Sequence, residues 1–177
     1  MPIWSVGHGA REIAAFIALL RDARIETLAD VRAFPGSRRH PQFGKDALRA
    51  ALGAAAIAYE HIASLGGRRR TTAVSPHTAL RVPAFRAYAD HMASDEFAAA
   101  YARLGALASE RRTAFCCAET PWWRCHRRLI ADRLAVDGWE VRHLLRPGEA
   151  EPHRLPDVAR LVDGRLVYDG GAVALPE

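Results

Sequence analysis

The sequence predicts a single α/β domain with a mostly parallel, open sheet of about five strands and helices on both faces. Short apolar runs alternate with amphipathic stretches along the chain, which is the pattern of parallel strands joined by crossover helices. The chain has 177 residues, 50% of them hydrophobic, which is enough to bury the core of one such domain. We place the domain at residues 1–150 and expect residues 151–177 to form a C-terminal extension packed on it.

Three strands and two helices are predicted in the first part of the chain. The strands are the short runs at residues 3–6, 27–29 and 57–59. Residues 11–24 carry apolar side chains at helical spacing, and residues 45–52 form a shorter helix. Helical connections of this kind are typical of right-handed crossovers between parallel strands.

A long irregular segment at residues 64–82 precedes the next helices. It is polar and basic, and loops of this length in compact domains are usually either functional or disordered. Pro83 suits the first position of a helix that continues to residue 92. Ser94 is a candidate N-cap for a further helix, which we expect to end near residue 108.

The remaining elements follow in the second half of the chain. Residues 113–117 form an apolar run, which is typical of a central strand covered on both faces. Residues 124–136 are predicted to be helical and to end at Asp137-Gly138, a good stop signal. Residues 139–145 are the fifth strand, and residues 165–168 are a candidate edge strand.

Polar clusters follow four of the predicted strands, at the point where each strand ends. In chain order these clusters contain His8; Asp30 and Arg32; Arg68; and Glu119, Cys125, His126 and Arg127. The carboxyl ends of parallel strands meet at one edge of a sheet, and open α/β sheets bind their ligands there. The sequence therefore predicts a site at this edge.

Cys125 is the candidate nucleophile of the last cluster. It lies near a predicted helix start and beside Arg124 and Arg127, and both the helix dipole and these charges favour a thiolate. Glu119 and His126 are the candidate acid–base partners of that thiolate. The alternative is that Cys125 is a small buried hydrophobic residue and Arg127 a charge on the helix surface.

The three cysteines do not predict a metal site. Cys116 and Cys117 are adjacent in a strand, so their side chains point to opposite faces. Cys125 and His126 lack the gap of about two to four residues that separates ligands in structural zinc sites. We therefore expect no metal. A disulfide between Cys117 and Cys125 is geometrically possible, but a cytosolic protein would use it only for redox chemistry.

The loop after the second strand is a candidate anion-binding site. It offers Arg32, Ser37 and Arg38 together with backbone amides, and charge-assisted hydrogen bonds from such groups hold phosphate or carboxylate. Arg68 and Arg127 are expected to contribute from neighbouring loops. The alternative is a solvated basic loop without a ligand.

Asp30 and His8 each allow two interpretations. Asp30 pairs with an arginine such as Arg32 at the substrate site, or it is a local turn residue. His8 acts as a general base or binds a ligand, or it is structural, which is more common for a lone histidine. The Gly7-His8-Gly9 turn is not the glycine fingerprint of a nicotinamide nucleotide site, so no cofactor is predicted.

Composition narrows the class of protein and its partners. With 25 Lys and Arg against 20 Asp and Glu, the net charge of +5 favours an anionic partner only weakly. No apolar run approaches the roughly 20 residues that span a bilayer, and the N-terminus lacks a leader pattern. The 3 cysteines do not form a secreted disulfide framework. We expect a cytoplasmic protein without membrane association, and the sequence does not define its oligomeric state.

The ordered set of motifs resembles the family catalogued as domain of unknown function 488, over roughly the first 145 residues. The motifs are Gly7-His8; Asp30-Val31-Arg32 with Pro35, Ser37-Arg38 and Phe43; Tyr59 with Leu65-Gly66-Gly67-Arg68; and Cys117, Glu119, Pro121 and Cys125-His126-Arg127. A Ser or Thr usually follows the Gly-His pair in that family, whereas Gly9 stands here, so a role of that hydroxyl does not carry over. The resemblance implies a compact α/β domain of unsettled function.

Two functional hypotheses and a structural alternative follow. The first is an enzyme that acts on a small anionic or nucleotide-like substrate, which the arginines hold and Cys125 or Glu119 transforms. The second is a nucleic-acid-binding module that uses the basic loops and Trp122-Trp123. In the third, the charges at the sheet edge pair only with each other.

Overall fold

A six-stranded sheet forms the centre of the computed structural model, which describes residues 1–36, 38–70 and 74–170. Its strands are β1 (Pro2–Gly7), β2 (Thr27–Asp30), β3 (Ala58–His61), β4 (Thr113–Cys117), β5 (Glu140–Arg146) and β6 (Glu149–Pro152). They lie in the order β3-β2-β4-β1-β5-β6. The first five run parallel, and β6 pairs antiparallel with β5. The predicted α/β class with a mostly parallel sheet is confirmed.

Helices cover both faces of this sheet. In the described residues they are α1 (Ile13–Asp22), α2 (Lys45–Ala54), α3 (Pro83–His91), α4 (Asp95–Glu110) and α5 (Arg127–Val136). The Ser94 hydroxyl accepts a 3.1 Å hydrogen bond from the backbone N–H of Phe97, which caps α4 as predicted. None of these helices combines the length and the hydropathy that crossing a bilayer requires.

Two apolar cores lie on opposite faces of the sheet, because successive residues of a strand point to opposite sides. On β4, Phe115 and Cys117 belong to the core beneath α3, α4 and α5, whereas Ala114 and Cys116 belong to the core beneath α1 and α2. All of them are buried, which explains why this central strand is apolar throughout. The predicted separation of the adjacent cysteines is therefore correct.

The predicted helix at residues 124–136 begins later than expected, at Arg127. A short 3-10 turn occupies Trp122–Arg124, and Cys125 follows it with an extended backbone (φ −121°, ψ 149°). This extended residue separates the turn from α5. As a result, Cys125 lies before the helix instead of inside its first turn.

The C-terminal segment differs from the prediction in the number and the pairing of its strands. Residues 165–168 form strand β8, which pairs with β7 (Ala159–Val162) in a separate two-stranded sheet. The edge of the main sheet is taken by β6 instead, because the chain returns from β5 by a tight turn at Gly148, where φ is +76°. Tyr168 of β8 is buried in the core beneath α3 to α5. The division of the chain at residue 150 stays a prediction.

The connections that follow β1 and β4 leave the sheet in opposite directions. β1 leads through α1 to β2, whereas β4 leads through α5 to β5 on the far side of β1. The two strands are nevertheless hydrogen-bonded neighbours, with Gly7 opposite Cys117 at their carboxyl ends. A crevice opens at such a switch point in open α/β sheets, and ligands bind there.

Candidate functional site

A pocket of about 610 Å³ opens at the carboxyl ends of β1, β2 and β4. Its walls come from the turns after these strands, from Gly67 and Arg68, and from the start of α3. The lining side chains that carry reactive or ionisable groups are His8, Arg32, His40, Arg68, Cys117, Glu119, Arg124, Cys125 and His126. Side chains from all four predicted clusters therefore meet in one pocket.

Cys117, Cys125 and His126 form a compact cluster in this pocket, which we call the thiol–imidazole cluster. The Nδ1 atom of His126 lies 3.6 Å from Sγ of Cys125 and 3.9 Å from Sγ of Cys117. The three donor atoms all lie within 4.8 Å of one another. Both thiols are buried, with Cys125 3% and Cys117 8% exposed, so the cluster forms the pocket floor.

The orientation of His126 is set by its other ring nitrogen. Nε2 lies 3.1 Å from the carbonyl oxygen of Val31, and because a carbonyl only accepts hydrogen bonds, Nε2 carries a proton. In the neutral ring, Nδ1 therefore presents its lone pair to the two thiols. A Cβ atom at Gly67 would lie only 2.5 Å from Nδ1. Glycine at position 67 thus allows the backbone to close over the imidazole.

The thiols of the cluster differ in their tendency to ionise. A hydrogen bond from the Cys117 thiol lowers the pKa of Cys125 well below its ordinary value against the effect of burial, and His126 and Arg127 lower it further. The same hydrogen bond, with burial, raises the pKa of Cys117. On the other face of β4, burial raises the pKa of Cys116 to about 12. Cys125 is therefore the cysteine that most readily forms a thiolate.

Arg127 lies beneath the pocket and is not on its wall. Its guanidinium donates to the Ser5 hydroxyl at 2.9 Å and to the carbonyl oxygens of Glu119 and Thr120. The side chain is buried, and no ion pair with a carboxylate is formed within the described residues. Arg127 thus holds the loop after β4 in place, and its charge favours a thiolate at Cys125.

Asp30 and Arg32 form a buried ion pair at the end of β2. Nε and Nη2 of Arg32 donate to the two carboxylate oxygens of Asp30 at 2.8 and 2.6 Å. Tyr59 donates a further hydrogen bond to Asp30, and Nη1 of Arg32 donates to the carbonyl of Phe43 at 2.9 Å. Of the two interpretations of Asp30, the structure shows the pair with Arg32. Arg32 borders the pocket, but its donors have internal partners.

His8 extends this network as a neutral ring. Its Nδ1 donates to the carbonyl of Gly9 at 2.9 Å, and its Nε2 accepts from Arg32 at 3.1 Å. The ring stacks on Phe43 with a centroid distance of 4.1 Å. Burial lowers the pKa of His8 to about 4. Both ring nitrogens are occupied, so the geometry favours the structural interpretation of His8 over a general base.

Exposed charged side chains line the mouth of the pocket. They are Arg68, Arg124 and Glu119. Arg38 is exposed but does not line the pocket, and Ser37 lies outside the described residues. Of the arginines that were predicted to hold an anion, Arg68 is exposed and lines the pocket. Arg124, which was not predicted to bind the anion, is also exposed and lines the pocket.

Trp122 packs against the C-terminal part of the chain. Its ring stacks on His143 with a centroid distance of 4.0 Å, and its indole N–H donates to Glu151 at 3.1 Å. Behind it, His143 contacts His153 at 3.0 Å, and His153 donates to Asp132 at 2.9 Å. One face of Trp122 is therefore unavailable to a nucleobase.

Sequence reasoning omitted several residues that shape the site. Cys117 and Gly67 were not predicted as site residues, although Cys117 ends a predicted strand at the correct edge of the sheet. The available signal was that Cys117 lies at the carboxyl end of its strand, and that its side chain points to the opposite face from that of Cys116. Hydrogen bonds also connect His143 to His153 and His153 to Asp132, which are 10 and 21 positions apart in the sequence. No local sequence pattern indicates these contacts.

These features define an open-sheet α/β protein with a pocket and a thiol–imidazole cluster at its topological switch point. The chain belongs to the family described as Domain of unknown function DUF488, whose model matches residues 12–134. The matched range includes the thiol–imidazole cluster together with Val31 and Gly67, and it begins after His8. Comparison with curated proteins and with solved structures found no match. The predicted resemblance is confirmed, and the family description assigns no activity.

Proposed function

We propose that this protein is an enzyme that binds a small anionic substrate in the pocket and acts on it with the thiol–imidazole cluster. The observation that carries the proposal is the contact of His126 Nδ1 with the sulfurs of Cys117 and Cys125 on the pocket floor. An imidazole lone pair beside a thiol can accept the thiol proton, which is how cysteine nucleophiles are activated.

The mouth of the pocket supports an anionic substrate of limited size. The guanidiniums of Arg68 and Arg124 are exposed on its wall, and arginine holds phosphate or carboxylate through paired N–H donors. A volume of about 610 Å³ lies within the range of small-molecule sites. Glu119 on the same wall stays a second candidate for acid–base chemistry.

A nucleic-acid-binding role has less support from the same residues. It depends on Trp122 and Trp123 as stacking platforms, and the ring of Trp122 is already stacked on His143. Trp123 is 51% exposed and is the tryptophan of this pair that a base could reach freely. The pocket at the sheet edge, whose volume suits a small molecule, is the feature that favours an enzyme.

Titration with inorganic phosphate tests the anion site. Calorimetry on the wild-type protein is expected to show saturable binding, which Arg68→Gln and Arg124→Gln each weaken by about 10- to 100-fold, because a charge-assisted hydrogen bond contributes about 1.5–3 kcal/mol. Arg111→Gln removes the same charge just before β4, at the opposite edge of the sheet, and serves as the matched control. Absence of saturable binding, or equal weakening by all three substitutions, would contradict an anion site in the pocket.

Turnover tests the roles of the reactive residues. For any phosphate, sulfate or carboxylate compound that the protein converts, Cys125→Ala is expected to lower kcat/KM by at least about 100-fold. Cys116→Ala, on the opposite face of β4, is the control and is expected to leave turnover unchanged. Undiminished turnover in both Cys125→Ala and Glu119→Ala would exclude the proposed roles.

A further inference from the structure

We infer that Cys117, Cys125 and His126 bind one Zn²⁺ ion and that the fourth coordination position of this ion opens into the pocket. The metal site depends only on the geometry of the three donors. A substrate oxygen at the fourth position rests, in addition, on the anion pocket of the proposed function. The thiol chemistry proposed there belongs to the metal-free protein, because ligation occupies Cys125 and Nδ1 of His126.

The donor atoms are spaced as in a tetrahedral zinc site. Zn–S bonds of about 2.3 Å and Zn–N bonds of about 2.05 Å, at tetrahedral angles, separate sulfur from nitrogen by about 3.6 Å and two sulfurs by about 3.8 Å. The observed Sγ–Nδ1 distances are 3.6 and 3.9 Å, and no pair of the donors exceeds 4.8 Å. Zn²⁺ can therefore occupy the centre of the cluster with small side-chain shifts.

The number and kind of donors favour zinc with an accessible position. Thiolate and imidazole ligands suit Zn²⁺, and structural zinc sites use four protein ligands whereas catalytic sites use three. Within the described residues the cluster contains three donors. Cys125 and His126 also line the pocket, so a water or a substrate oxygen can reach the remaining position.

The surroundings of His126 are those of a metal ligand. Its Nε2–H donates to the carbonyl of Val31 at 3.1 Å, and an outer hydrogen bond of this kind fixes the tautomer and the orientation of most metal-binding histidines. The backbone of Gly67 lies against the ring and restricts its movement. Nδ1 is thereby held toward the two sulfurs before any ion arrives.

Charge balance is compatible with this buried position. Zn²⁺ binds Cys117 and Cys125 as thiolates, so any proton that these thiols still carry is released to solvent, while His126 stays neutral and keeps its Nε2 proton. The two thiolate charges cancel the charge of the ion. The resulting centre carries no net charge, so it is not repelled by the buried guanidinium of Arg127.

No metal was expected from the sequence, because the relevant donors do not form a local motif. Cys125 has an extended backbone and His126 a helical one (φ −57°, ψ −18°), so these neighbours can turn their side chains to the same point. Cys117 is supplied by the end of β4, eight positions earlier in the chain. Ligand spacing in structural zinc motifs does not describe this arrangement.

Metal titration of the full-length protein tests the site without an activity assay. The reduced, chelator-treated protein is titrated with Zn²⁺ and separately with Co²⁺. We expect one ion per chain, and a Co²⁺ spectrum with intense tetrahedral ligand-field bands and a thiolate-to-cobalt charge-transfer band. Cys117→Ala, Cys125→Ala and His126→Asn should each lower Zn²⁺ affinity by more than about 100-fold, since even loss of an outer-shell partner lowers it 10- to 100-fold. Cys116→Ala should retain the wild-type affinity.

Three results would overturn the zinc site. They are the absence of stoichiometric Zn²⁺ binding by the reduced wild-type protein, a Co²⁺ spectrum without thiolate charge transfer, and unchanged affinity in all three ligand variants. If a variant fails to fold, the wild-type Co²⁺ spectrum still decides. Phosphate binding by the metal-free protein separates the two proposals. If the protein binds phosphate but not zinc, the anion pocket is supported and the zinc site is excluded. If it binds zinc but not phosphate, the zinc site is supported and the anion pocket is excluded.

Discussion

His126 is the residue on which the geometry of the site depends, because three independent contacts fix its ring. Nε2 donates a hydrogen bond to the carbonyl of Val31, and the backbone of Gly67 lies against the ring. The ring of Tyr88 packs beside it at a centroid distance of 5.0 Å. These contacts leave Nδ1 directed at the thiols of Cys117 and Cys125. The imidazole is therefore held in its working orientation by the fold.

Substitution of Gly67 tests this arrangement. Gly67→Ala places a methyl group 2.5 Å from Nδ1 of His126, so the ring must move. We expect a loss of about 1–3 kcal/mol in the free energy of unfolding, as for other overpacked sites, measured by denaturant titration. At Gly53, exposed in α2, an added Cβ would have no neighbour within 4 Å, so the control Gly53→Ala should stabilise the helix by up to about 1 kcal/mol. Equal effects of the two substitutions would contradict the close approach at Gly67.

At the scale of elements, two buried arginines connect the ends of strands. Arg32 joins β2 to the turn after β1 through His8 and to the following loop through the Phe43 carbonyl. Arg127 joins the start of α5 to β1 through Ser5 and to the loop after β4. Both residues were predicted to hold a substrate. Their burial and internal partners make them residues that position the pocket walls.

Removal of one partner from the buried pair tests this structural role. Asp30→Asn leaves the Arg32 charge without its carboxylate and is expected to destabilise the protein by about 3–5 kcal/mol, measured by denaturant unfolding. The matched control is Glu140→Gln, because the Glu140–Arg142 pair has side chains that are 54% and 46% exposed. The control is expected to change stability by less than about 1 kcal/mol. A similarly small effect of Asp30→Asn would contradict the role of the pair.

The elements themselves were largely predictable from the sequence, and their contacts were not. Apolar runs bounded by turn residues indicated the parallel strands, and the residues after them indicated the edge that carries the site. The start of α5 was predicted too early, because the pattern at residues 124–136 does not reveal that Cys125 is extended. Arg32 can bind either a ligand or the carboxylate of Asp30. Tertiary packing decides between them, and short-range sequence patterns carry no information about that packing.

At the scale of the whole molecule, buried neutral histidines make stability depend on pH. Burial lowers the pKa of His8 to about 4 and that of His143 to about 3, whereas histidine in an unfolded chain has a pKa of about 6.5. Between these values the unfolded chain binds protons that the folded chain does not. Stability should therefore be complete above about pH 6.5 and fall as the pH drops toward 4.

Denaturant midpoints at about pH 7.5 and about pH 5.5 measure this effect while most carboxyl groups stay ionised. The midpoint of the wild-type protein is expected to be lower at the acidic pH. In His8→Asn the difference between the two midpoints should be smaller, because one of the titrating groups is absent. Equal midpoints at the two pH values would contradict burial of the neutral rings.

The measurement that tests the reactive pocket most directly is alkylation of Cys125 by a charged and a neutral reagent. In the reduced, metal-free protein, rates with iodoacetate and iodoacetamide are compared, and tryptic cleavage after Arg124 separates Cys125 from Cys116 and Cys117. We expect Cys125 to react faster than the other two cysteines. The ratio of the iodoacetate rate to the iodoacetamide rate should exceed that of the unfolded chain by about tenfold, because positive charge at the mouth attracts the anionic reagent. The ratio should fall in Arg68→Gln. Two results would contradict a reactive thiol beneath an anion-binding pocket. One is that Cys125 reacts more slowly in the folded protein than in the unfolded chain with both reagents. The other is that the ratio of the iodoacetate rate to the iodoacetamide rate is the same in the folded protein and in the unfolded chain.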